Sequence, residues 1–109
     1  MKCENLFEKI PKDLSQEVFE VLAQGGGTRI ERIVSAGQSA PEEGWFDQAG
    51  HEWVMVLQGE ARLQFEGEEE RRLRAGDYIL IPAHTRHRVL STSKDPETIW
   101  LAVHFAVNC

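Results

Sequence analysis

The sequence predicts an all-β jelly-roll barrel preceded by a short N-terminal helix. Three observations carry this. Short β-rich segments recur at even spacing after residue 27, Gly- and Pro-bearing turns separate them, and one earlier segment has its apolar residues at helical spacing. The chain has 109 residues, which fits a single domain able to bury roughly two-thirds of its unfolded surface.

The helix is expected first. Leu14, Val18, Val21 and Leu22 share one face at helical spacing, and Asp13 with Gln16 makes a capping box. Gly25, Gly26 and Gly27 then break the helix. The glycines do not make a phosphate loop, because no Lys-Ser or Lys-Thr follows. Residues 1–27 are therefore expected to form a helical segment packed on a barrel formed by residues 28–109.

Thr28 to Val34 is β-branched and alternates with charge, and Ser35 to Gly44 reads as a loop around Gly37 and Pro41. Trp53 to Leu57 is a strongly apolar strand ended by Gly59. Ala61, Leu63 and Phe65 alternate with Arg62, Gln64 and Glu66, as on a half-buried strand. Arg71 to Arg74 runs to a turn at Gly76-Asp77, and Tyr78 to Ile81 stops at Pro82. Arg86 to Leu90 and Thr98 to Val107 complete the series, with a turn at Asp95-Pro96 between them. The strands Trp53–Leu57 and Thr98–Val107 are apolar on both faces, so both faces need cover. The expected cover is the N-terminal helix or a second subunit, which makes a homodimer the expected assembly, with Trp53 or Trp100 in its core.

Charge and cysteine usage narrow the function. The formal charge is −6, from 12 Lys and Arg against 18 Asp and Glu. That acidity argues against a nucleic-acid partner, which calls for a basic face. Cys3 and Cys109 form no C-x-x-C pair, so they read as free thiols in a reducing compartment. No apolar h-region precedes Cys3 and no run reaches membrane-spanning length, so no membrane partner is expected and the protein reads as cytosolic.

Two stretches carry a family resemblance. Gly76, Pro82 and His87 have the spacing of the second motif of the cupin superfamily, with His84 at its turn glycine and Ser91 at its asparagine. Glu52 and Gly59 have the closing spacing of the first motif. Its histidine pair is missing: Phe46 and Gln48, or Trp45 and Asp47, stand there. Over Trp45 to Leu90 the chain thus resembles small single-domain cupins. The resemblance implies a cupin-type double-stranded β-helix whose interior often holds Mn, Fe, Ni, Cu or Zn. It implies no particular reaction.

In cupins the residues matching Glu52 and His87 point into the barrel and bind one divalent ion. Imidazole and carboxylate together suit a first-row metal, whereas a buried metal-free Glu–His pair would use the same two residues. Gln48 reads as a third, weaker oxygen ligand or as a pocket hydrogen-bonder. Asp47 reads as a loop residue or as an acceptor orienting a ligating histidine. His84 is expected to serve the turn, and His51, next to Glu52, to face outward. His104 reads as an interior fourth ligand or an interface residue, with the interface preferred. Arg86 and Arg88 should share the face opposite His87, either solvated or as an anion patch. Phe46, Trp45 and Tyr78 read as aromatic packing. The expected function is a metal-dependent or metal-binding protein acting on a small molecule, with Mn, Fe, Ni or Zn as the ion. A metal-free ligand-binding or sensor module is the alternative.

Overall fold

A computed structural model describes residues 1–107, so Cys109 lies outside the described residues. Eight strands follow one another: β1 (Val18–Gly25), β2 (Thr28–Ser35), β3 (His51–Gln58), β4 (Glu60–Phe65), β5 (Arg71–Arg74), β6 (Tyr78–Ile81), β7 (His87–Thr92) and β8 (Thr98–Phe105). They form a five-stranded sheet in the order β1-β2-β8-β3-β6 facing a three-stranded sheet in the order β5-β4-β7, every pair antiparallel. The expected barrel strands are all present.

The expected N-terminal helix is not. Among the described residues no helix forms, and the segment that carried the helical stripe becomes β1, an edge strand of the large sheet. Its pairing with β2 explains why. Gly25 faces Thr28, and Gly26 and Gly27 between them adopt φ of 57° and 78°. Positive φ at both central residues is the geometry of a type I′ hairpin, which glycine adopts without steric cost. The triple glycine is thus a hairpin turn rather than a helix stop. The register slips between Val21 and Ala23, and the Val21 and Leu22 side chains expected to pack stay about half exposed. Asp13 accepts hydrogen bonds from Ser15, but only as an isolated turn.

Strand alternation sorts the large sheet into two faces. Ile33, Val54, Val56, Trp100 and Ala102 point inward and meet Ala61, Leu63, Phe65 and Leu73 of the small sheet to form the core. On the outer face, buried Arg32 donates to the carbonyls of Leu6, Glu8 and Lys9 and pairs with Glu20. Residues 6–9 are thereby strapped across the outside of β2. Farther along the same face, Trp53, Met55, Leu101 and Val103 are only half-buried, and Tyr78 and Leu80 are exposed.

The segment expected as loop from Ser35 to Gly44 also does structural work. Ala40 exchanges backbone hydrogen bonds with Val89, and Phe46 exchanges them with His87. The chain before β3 therefore lines up along β7 and brings Phe46 and Gln48 to the barrel interior.

Candidate site in the barrel interior

A cavity of about 240 Å³ lies between the sheets. Its apolar wall includes Phe19, Ile33, Phe46, Val54, Leu63 and Trp100, and its polar groups are Glu17, Arg29, Glu31, Gln48, Glu52, His87 and His104. A wider open depression of about 610 Å³ shares Arg29, Gln48 and His104 with it, so those three mark the mouth.

Glu52 and His87 face each other inside. β3 presents Glu52 inward with Val54 and Val56, beside Ile81 of β6 and His104 of β8. The turn through Pro82 delivers His87, whose Nδ1–H donates to the Thr85 carbonyl at 2.7 Å. That bond occupies Nδ1 and turns Nε2 toward the cavity; in the neutral ring it selects the tautomer whose lone pair is on Nε2. The ring packs between Phe46 and Phe65, with centroids 5.5 and 6.0 Å away. Its Nε2 stands 3.8 Å from Glu52 Oε1.

A second imidazole approaches Glu52 from the mouth side. His104 Nε2 is 3.9 Å from Glu52 Oε2 and 2.8 Å from Glu31 Oε1. Arg29 follows at 3.5 Å from Glu31. A file of alternating charge types, Arg29, Glu31, His104, Glu52 and His87, thus leads from the mouth inward. Burial pushes the Glu52 carboxyl above its ordinary value, with His104 and His87 opposing the rise and Glu31 adding to it.

The other sequence candidates lie at the edge. Gln48 lines the cavity, and its carbonyl accepts the His84 N–H at 2.7 Å. Asp47 accepts from His84 Nδ1 at 2.9 Å, so the histidine it orients is the exposed turn residue. His84 has φ of 60°, in keeping with its turn role. His51 is half-buried rather than exposed: its Nδ1 accepts the Ala83 N–H, and its ring packs on Phe105. His104, for which the interface was preferred, points into the cavity. Arg86 pairs with Glu66, while Arg88 donates to Gln64 and lies 4.3 Å over the Trp45 ring, so both guanidinium groups already have partners.

Glu31 was missed at the sequence level. The available signal was its parity, since Arg29, Glu31 and Ile33 share one face of β2 and Ile33 is a core residue. Gly59 of the first motif is held at φ of 84°, where a side chain would collide with Ser93 and the Glu97 carbonyl.

The metal expectation meets a limited donor set. Glu52 and His87 offer two strong donors and Gln48 can add an amide oxygen, but His104 is already engaged by Glu31. Among the described residues no group of three or more His, Cys, Asp or Glu is arranged to hold an ion.

Two antiparallel sheets closing over an interior chamber define a double-stranded β-helix with a cavity at its centre. The chain belongs to the cupin family: the family described as Cupin domain matches residues 30–104. A crystal structure from Ralstonia eutropha JMP134, named "putative mannose-6-phosphate isomerase", is 42% identical, with a TM-score of 0.92 over 98% of this chain and 100% of that one. A cupin superfamily protein from Desulfitobacterium hafniense DCB-2 shares the fold at 23% identity and a TM-score of 0.75, over 89% of this chain and 84% of that one. A conserved Streptococcus pyogenes protein of unknown function does so at 21% identity and 0.77, over 99% and 90%. Comparison with curated proteins finds no match.

Proposed function

We propose that this cupin binds a compact small molecule in its interior cavity, with Glu52 and His87 as the polar centre. The observation that carries this reading is the cavity of about 240 Å³ between the sheets, into which the His87 Nε2 and the Glu52 carboxylate both point. Such a volume is below the roughly 300–1,000 Å³ of drug-sized sites, so the ligand is small. His87 Nε2 and Glu52 are also the groups available to move a proton on a bound molecule.

The name of the Ralstonia relative raises a hexose phosphate as ligand. The charges of this cavity offer a phosphate little: its single guanidinium, Arg29, is already 3.5 Å from Glu31, and the carboxylates of Glu17 and Glu52 line the same space. A divalent ion, Mn, Fe, Ni or Zn, is the second reading, favoured by the His87 Nε2 that stands beside Glu52 Oε1. Glu52, His87 and Gln48 would hold it, and it would supply Lewis-acid polarisation. With only two strong donors, its affinity is modest. A homodimer through the half-buried outer face around Trp53 and Leu101 belongs to the same proposal, and the exposed thiol of Cys3 suits a cytosolic setting.

Elemental analysis of protein purified without a metal-binding tag, with calorimetry on wild type, Glu52→Gln and His87→Ala, separates the readings. The small-molecule reading predicts substoichiometric metal as purified and ligand binding that survives chelation. Full metal occupancy lost in both variants favours the ion instead.

A further inference from the structure

The cavity lining has a specific unfilled valence. Glu17 accepts a hydrogen bond from Ser35, and Glu31 is engaged by His104 and Arg29. Glu52 is different. It is about nine-tenths buried, yet among the described residues no donor comes within hydrogen-bonding distance of its carboxylate, and the ring nitrogens that face it, His87 and His104 Nε2, stand 3.8 and 3.9 Å away. Its oxygens open onto the cavity, so a ligand there can supply the donor that the protein does not.

The surroundings decide which donor. The carboxylates outnumber the guanidinium three to one, and Arg29 already lies 3.5 Å from Glu31. With Arg29 taken up by Glu31, the carboxylate of Glu52 is the charged group left open to the cavity, which favours a cation over an anion. A bare divalent ion would need more strong donors than the cavity assembles. A protonated amine needs fewer. One or two N–H groups satisfy the carboxylate, while its hydrocarbon part covers apolar wall, here with the rings of Phe46 and Trp100 available to both ends.

Resting on the small-molecule reading above, we propose that the ligand is a compact organic cation, a protonated primary or secondary amine, whose N–H donates to Glu52. The ammonium sits between the His87 and His104 rings, and the apolar body packs toward Ile33, Val54 and Phe46. Arg29 and Gln48 at the mouth stay outside this contact and leave room for a polar substituent.

Thermal shift and titration calorimetry on the full chain test this, with butylammonium and cyclohexylammonium as probes and butanol and cyclohexanol as matched neutral compounds. The expected result is stabilisation by the ammonium ions, binding at least tenfold weaker for the alcohols, and at least tenfold weaker ammonium binding by a Glu52→Gln variant that melts no lower than wild type. Glu31→Gln, which leaves Glu52 in place, should weaken binding less. Equal binding of amines by wild type and Glu52→Gln overturns the proposal. Mannose 6-phosphate, an alcohol or Zn binding in preference to the amines, with loss in His87→Ala, also overturns it while leaving the cavity itself as the site. If no compound of any class binds, both the amine and the small-molecule reading fall.

Discussion

At the scale of single residues, Glu52 is a carboxylate largely withdrawn from water, at a cost to stability. Its folded-state pKa is raised, chiefly by burial, so folding favours the protonated form. The sign follows directly. Any stability tied to that proton is present at pH below the unfolded pKa and is lost as pH rises through the folded one. Glu52→Gln should therefore melt higher than wild type at neutral pH, with the gain shrinking as the medium is acidified. A gain of about 1 kcal/mol corresponds to roughly 4–8 °C in a domain of this size. Calorimetric melting of both proteins from pH 4 to 8 checks it, and a neutral-pH Tm lower in the variant contradicts it. Glu52 and His87 were legible in the sequence because motif spacing fixes each within a few residues of its own turn. Glu31 and His104 were not. They meet only through the long-range register of β2 on β8, where Arg29 faces His104 and Glu31 faces Ala102; strand parity alone left His104 divided between interior and interface and did not single out Glu31.

At the scale of elements, the first strand is the instructive case. Val18, Val21 and Leu22 satisfy a helical period, while Val18, Phe19 and Val21 also suit a strand. The choice falls to the partner strand β2 and to a two-glycine turn, since paired backbone groups outweigh weak local propensity. The two readings make opposite predictions for one substitution. In a helix end, Gly27→Ala would be neutral or stabilising. In the hairpin, Ala must adopt positive φ, and its Cβ would lie 3.3 Å from Ala106 Cβ. A loss of about 1–2 kcal/mol is expected in denaturant unfolding, whereas Gly25→Ala, which has open space, should cost less than half as much. The strap over β2 yields a second test. Arg32→Ala strands three carbonyls and Glu20, and should cost about 2–3 kcal/mol, below the range for wholly buried ion pairs because Glu20 is partly solvated. The remaining strands were readable because their turns carry Gly, Pro or Asp at the required places, and because β4 alternates about a single buried face while β3 and β8 are short apolar runs bounded by turns.

At the scale of the molecule, one sheet serves two purposes. Its inner face builds the cavity, and its outer face carries Trp53, Met55, Tyr78, Leu80, Leu101 and Val103 with incomplete cover within one chain. The N-terminal strap shields only the β2 side. A second copy meeting that apolar surface is the expected assembly, and Leu80→Glu should shift it toward monomer in light scattering across a dilution series without lowering ligand affinity more than a few-fold. A wild-type monomer at every micromolar concentration would contradict it. The cavity itself is most directly tested by histidine-ring nitrogen NMR during titration with cyclohexylammonium, mannose 6-phosphate and Zn in turn. The account predicts that a binding compound moves the His87 and His104 resonances together while exposed His84 stays fixed. Movement confined to His84 and His51, or no response to any of the three, would contradict an interior site.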